Sequence, residues 1–227
     1  MSRQFVVVGL GRLGIAMVGT LHSLGHDVLG IDMREDVIQE LADDLPNAHL
    51  VAADATDEDV LRGLNVESFE SAAVVIGENH IEAGILATAN LKELGVPMIV
   101  ARATGKLHGK VLERVGADRV IQPEREMGEQ VARTMASPSV LDYVDLGGDE
   151  AVIEAEVPEG WVGKSLAQLG LSRTMGLTVL ALKPKDGAGT IPYGETVLRE
   201  GDVIVVGGTR KNLDASELLR PGEGSLR

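Results

Sequence analysis

Residues 5–14 read Phe-Val-Val-Val-Gly-Leu-Gly-Arg-Leu-Gly, and no other stretch constrains the fold as much. An apolar run of strand length leads straight into Gly9, Gly11 and Gly14, a G-x-G-x-x-G array, and a helical pattern follows. In such an array the first glycine permits the tight turn. The second lets backbone approach a phosphate, and the third lets the helix pack close to the sheet. The helix start, Arg12-Leu13-Gly14, offers amides without intrahelical partners to an anion. Asp32 closes the next apolar run, Val28-Leu29-Gly30-Ile31, and Met33 follows it. An acid there accepts hydrogen bonds from ribose hydroxyls and repels a 2′-phosphate, which disfavours NADP and leaves NAD, ATP and ADP open. Arg12 is unusual. A dinucleotide needs only backbone amides at the glycine turn, whereas a guanidinium suits a ligand with more phosphate charge.

The rest of the first part alternates apolar strands and amphipathic helices. Strands are predicted at 4–8, 27–32, 48–53, 71–76, 98–102 and 119–121, with helices near 12–24, 35–44, 57–63, 80–94 and 106–114. This rhythm predicts an α/β fold, a Rossmann-like parallel sheet covered on both faces. Gly25, Gly95 and Gly116 sit where helices should stop. Residues 124–136 form another helix, ended by Ser137-Pro138-Ser139. Beyond it the pattern changes to that of a small α+β module, with strands at 150–157, 178–183 and 203–206 and one short helix at 165–169. The expected domains are 1–137 and 138–220, with a disordered tail at 221–227.

The chain has 227 residues, no cysteine and a formal net charge of −14. Disulfides, thiolate metal sites and a cysteine nucleophile are thereby excluded. The acidity and the lack of a basic stripe disfavour nucleic acid as a partner. No apolar run has bilayer length and no signal-peptide pattern opens the chain, so a cytoplasmic protein is expected.

The carboxyl edge of the predicted sheet collects further candidates, because ligands of open α/β sheets bind there. Asp54-Ala55-Thr56 ends the third strand, where it lines an adenosine pocket or caps the next helix. Gly77 ends the fourth strand. His80, nearby, lacks a second ligand at metal spacing and is read as structural. Arg102 ends the fifth strand and is placed to reach phosphate. Glu124 opens the long helix, where an acid suits either the helix dipole or a Mg²⁺ or Ca²⁺ ion shared with phosphate oxygens. No Ser/His/Asp set, G-x-S-x-G, HExxH or P-loop motif is present, nor an acid–base pair suited to hydride transfer. The site reads as one for binding rather than turnover.

These motifs resemble a known family. Gly9-Leu10-Gly11-Arg12-Leu13-Gly14, the stretch from Leu24 to Asp32, Asp54-Ala55-Thr56, Lys110 to Asp118 and Pro123 to Gly128 are similar to RCK (regulator of K⁺ conductance) proteins. These are the regulatory subunits of Ktr and Trk potassium uptake systems. The second module, with Gly163-Lys164-Ser165-Leu166 and Leu198 to Ile204, resembles the RCK C-terminal domain. The resemblance implies a non-enzymatic subunit at the inner face of the membrane, bound to a K⁺-translocating membrane subunit. It implies homodimers that assemble an octameric ring, switched by ATP and ADP, or by NADH and NAD as in some relatives. It places Arg12 on the phosphates, Asp32 on ribose, and Glu124 with its counterpart in a second copy on a divalent cation. Some relatives bind cyclic di-AMP through an arginine that Arg173 misses by one position, so cyclic di-AMP is not assigned. An NAD-dependent oxidoreductase, and a nucleotide sensor acting on a different transporter, are the alternatives.

Overall fold

A computed structural model describes residues 2–45, 48–137 and 139–219. The chain divides into two compact units, Met1–Pro123 and Glu124–Arg227. The first unit runs β1 (Gln4–Val8), α1 (Arg12–Ser23), β2 (Asp27–Asp32), α2 (Glu35–Asp44), β3 (His49–Ala52), α3 (Glu58–Gly63), β4 (Ser71–Val74), α4 (Ile81–Glu93), β5 (Ile99–Arg102), α5 (Lys106–Val115) and β6 (Arg119–Ile121). Its six strands are parallel, in the order β3-β2-β1-β4-β5-β6. The strand order reverses between β1 and β4, which opens a crevice at their carboxyl ends.

Strand alternation feeds two separate cores. Val6, Val8, Leu29, Ile31, Val74 and Ile99 are buried on one face. Val7, Val28, Ala73 and Val75 are buried on the other, with Leu10 and Val18. Continuous apolar runs are what a sheet covered on both faces requires. Gly25, Gly95 and Gly116 all adopt positive φ after α1, α4 and α5, as expected of helix stops. Asp57, expected in the first turn of α3, is instead its cap and accepts the Asp59 amide at 2.9 Å.

The second unit contains α6 (Pro123–Ala136, whose first residue closes the first unit), β7 (Val140–Gly147), β8 (Glu150–Glu156), α7 (Leu166–Leu169), α8 (Leu171–Thr174), β9 (Thr178–Lys183), β10 (Val203–Thr209) and α9 (Arg210–Ala215). Its antiparallel sheet runs β7-β8-β10-β9 around buried Tyr143, Ile153, Trp161, Leu177 and Ile204. The helix assigned to the first module in the sequence thus clusters with the second, which starts at Glu124 instead of near 138. The reason is local. Gln130 donates to the Asp142 carboxylate at 2.7 Å, and the Arg133 guanidinium lies 4.6 Å from the Tyr143 ring centre. Strand β7 was not expected, because irregularities after Val140 and after Asp145 break its alternation. Helix α9 is too short to show a period, but Thr209 caps it by accepting the Asn212 amide. The expected tail at 221–227 lies outside the described residues.

Helix α1 approaches the turn after β1 so closely that a Cβ added at Gly14 would lie 1.9 Å from the Gly9 carbonyl oxygen. At Gly19, in the same helix, the nearest atom would be 3.9 Å away. Gly14→Ala is therefore expected to cost about 1–3 kcal/mol or more through overpacking, while Gly19→Ala gains up to about 1 kcal/mol of helix propensity. Thermal unfolding of the two variants checks this: the midpoint falls for the first and rises or holds for the second.

Candidate functional site

The glycine turn is shaped by contact from below and left open above. Gly9 has φ +96°, and a Cβ there would meet the Ile76 amide nitrogen at 2.9 Å, so only glycine fits. Its own amide donates to the Ile31 carbonyl at 2.8 Å, which fixes the turn to the end of β2. Gly11 caps α1 without any side-chain hydrogen bond, and a Cβ at Gly11 would meet nothing within 4 Å. The Ile15 amide donates to the Gly11 carbonyl at 2.9 Å. The amides of Arg12, Leu13 and Gly14 precede it and have no intrahelical carbonyl. Open space against unpartnered amides at a helix N-terminus is a cradle for an anion.

Asp32 binds this turn to its own strand. One carboxylate oxygen accepts the Leu10 amide at 2.8 Å, and the other accepts the Arg34 amide at 3.0 Å and Arg34 Nε at 3.3 Å. The side chain is only 10% exposed. A carboxylate has about four acceptor positions, so capacity remains for ribose hydroxyls. Asp54 closes a local turn by accepting the Thr56 amide at 2.9 Å and the Thr56 hydroxyl at 2.7 Å. These bonds, from the hydroxyl and then the amide, hold its carboxyl below the usual carboxylate range. Asn90 of α4 in turn donates to the Thr56 carbonyl at 2.9 Å.

A cavity of about 300 Å³ joins these parts. Of the residues singled out in the sequence, Gly9, Gly11, Asp32, Met33, Asp54, Ala55, Thr56 and Gly77 line it together. Arg12, Leu13, Gly14 and Arg102 do not. Gly14 is buried under the turn, and half-buried Leu13 packs into the core beneath α1. Arg12 is exposed on the first turn of α1. Arg102 is half-buried at the end of β5, one strand beyond β4. Glu124 stands in the first turn of α6, in the second unit. Among the described residues no group of three or more His, Asp or Glu side chains could hold a metal ion. His80, read as structural, also lines the cavity, as does Arg34. The position of His80 three residues after Gly77, at the carboxyl edge, was the signal for it.

The TrkA-N domain family matches residues 5–123, and the TrkA-C domain family matches residues 152–219. The Ktr system potassium uptake protein A of Bacillus subtilis is 37% identical over 216 residues, covering 95% of this chain and 96% of that protein. The chain belongs to the TrkA-N/TrkA-C family. Its fold is also that of two solved channel structures. The GsuK channel bound to NAD superimposes with a TM-score of 0.69 at 22% identity, over 97% of this chain and 40% of that one. The GsuK structure bound to ADP gives 0.54 at 19% identity, over 61% and 36%. This member of the TrkA-N/TrkA-C family thus spans less than half of either channel chain.

Asp54 gives the site a pH signature. Its folded pKa is depressed, so the ionised carboxylate stabilises the fold at neutral pH, and that contribution is lost as pH falls through the folded value. Asp54→Asn is expected to lower the urea midpoint near pH 7 and to converge with the wild type below about pH 4. A gap of constant size across that range would contradict the assignment.

Proposed function

We propose that the chain is a cytoplasmic, nucleotide-binding regulatory subunit that gates a membrane K⁺-translocating subunit without catalysing a reaction. The observation that carries this reading is the uncapped, open Gly11 cradle facing a cavity closed by Asp32, in a chain so similar to a potassium uptake protein. The bound NAD and ADP of the GsuK structures support an adenine nucleotide as ligand. No helix of the described residues is long and apolar enough to cross a membrane, so transport needs a separate partner in this reading.

ATP and ADP are the proposed effectors. They differ by one phosphoryl group, that is, by charge at the glycine turn. Arg12 opens α1 there, and among the described residues its guanidinium makes no ion pair or hydrogen bond. A ligand shifts a conformational equilibrium only through different affinities for its two states. A tenfold preference corresponds to about 1.4 kcal/mol, within reach of one or two charge-assisted hydrogen bonds. Several identical sites in a ring multiply that bias. NAD and NADH fit the same acid and turn, and leave Arg12 without a terminal phosphate to bind.

The assembly proposed is a homodimer that builds an octameric ring. Met127, Val131 and Met135 lie on one face of α6 and are 57%, 46% and 78% exposed. Such an apolar strip suits a second copy. Glu124 opens the same helix, so in this assembly two copies of it supply carboxylates to one Mg²⁺ or Ca²⁺ ion beside phosphate oxygens.

Calorimetric titration tests the effector. Arg12→Ala is expected to weaken ATP by about tenfold and ADP by less. Equal loss for both rules out a terminal-phosphate contact. The metal is tested separately. Glu124→Gln is expected to abolish any strengthening of ATP binding by Mg²⁺ or Ca²⁺, and a strengthening that persists removes Glu124 from the ion site.

A further inference from the structure

The cavity-lining side chains differ in how much hydrogen-bonding capacity the protein has already used. Asp32 is bonded to the Leu10 and Arg34 amides, and Arg34 reaches back to Asp32. Asp54 and Thr56 are bonded to each other. His80 is the exception: its imidazole lines the cavity and has no hydrogen bond, ion pair or ring contact among the described residues. It is exposed, its side chain does not cap α4, and it is the one histidine among the described residues to line the cavity.

The topology says which part of a nucleotide it meets. Across the sheet the order is β3, β2, β1, β4. The loop after β3 brings Ala53 and Ala55, β2 ends in Asp32, and β1 ends in the glycine turn. Base, ribose and phosphate follow that order in a Rossmann site. The loop after β4 is next in line, on the far side of the phosphate position. It touches the glycine turn directly, since the Cβ position of Gly9 lies 2.9 Å from the Ile76 amide nitrogen. His80 is also the residue that precedes the thirteen-residue helix α4, at its N-cap position, and the N-terminus of that helix favours negative charge at this edge.

We propose that His80 is a phosphate-contacting residue of this site, its imidazole donating to the bound nucleotide. The proposal rests on the nucleotide-binding reading above. The charged groups around the cavity are Asp32 and Arg34 after β2, Asp54 after β3 and Arg12 at the start of α1. Arg102 ends β5, and Glu78 and Glu82 flank His80 in its own segment. Aspartate, glutamate and arginine keep one charge between about pH 6 and pH 8, whereas histidine changes charge there. A pH dependence of polyanion binding that disappears when His80 is replaced is therefore the signature of this contact.

The test is calorimetric titration of the full chain with ADP at about pH 6 and about pH 8, on wild type, His80→Gln and His80→Lys. The nucleotide's own titration is common to all three and cancels in the comparison. Wild type is expected to gain about three- to tenfold in affinity at the lower pH relative to His80→Gln. His80→Lys, with a fixed charge, is expected to bind ADP at about pH 8 more tightly than wild type does at that pH, and to show the same pH response as His80→Gln. An equal pH response in wild type and His80→Gln overturns the assignment while leaving nucleotide binding intact. Absence of ADP binding in all three at both pH values overturns the nucleotide reading as well, so the two failures are told apart.

Discussion

The close contact between α1 and the turn after β1 governs the rest of the first unit. A Cβ at Gly14 would stand 1.9 Å from the Gly9 carbonyl oxygen, and a Cβ at Gly9 would meet the backbone of Val75 and Ile76. Helix, turn and the neighbouring strand end are therefore in backbone contact, with no side chain between them. That contact brings the start of α1 to the carboxyl edge of the sheet, with open space beside Gly11. Asp32 then fixes the same turn from the β2 side through the Leu10 amide. The cradle is rigid because backbone and one half-buried acid hold it, and rigidity lowers the entropy lost when a ligand is held there.

Much of this was legible in the sequence, and the reason is physical. Glycines at Gly9 and Gly14 are required by backbone overlap, which no other residue satisfies, so the pattern survives in the sequence as a spacing. The buried strands read as continuous apolar runs because both sheet faces are covered, and all six fell where expected. The second unit was harder. Strand β7 is an edge strand whose irregularities, with Asp142 and Asp145 between apolar positions, remove the alternation that marks a strand. The grouping of α6 with β7 rests on Gln130–Asp142 and on Arg133 over Tyr143, contacts between side chains that spacing alone does not encode.

Within the site, the sequence located strand ends better than it located side chains. Eight of its candidates gather in one cavity because each closes or follows a strand at the same edge. Arg12 and Arg102 are also at that edge, but they do not line the cavity: a long cation's place is set by rotamers and solvent, not by strand position. His80 shows the converse. Its type and isolation suggested a structural role, whereas its position, just past Gly77, brought it into the cavity.

A chain with a net charge of −14 is a poor general host for a polyanion, so the attraction at the glycine turn has to be local. The length scale allows this. At physiological ionic strength charges more than about 8 Å apart across solvent are largely screened, while amides in contact with a phosphate are not. The acidic surface then opposes nonspecific anion binding elsewhere, and the cradle keeps its amides, its helix N-terminus and the nearby guanidinium of Arg12. Selectivity between nucleotides follows from the same division. In the proposed reading, ribose and base meet groups already bonded within the protein, Asp54 and Thr56 to each other and Asp32 with about one acceptor position left. In that reading the phosphate end meets His80, which lines the cavity, and Arg12, which opens α1 beside it; neither side chain is hydrogen-bonded among the described residues. A regulatory site of the kind proposed would thus register differences in phosphate number.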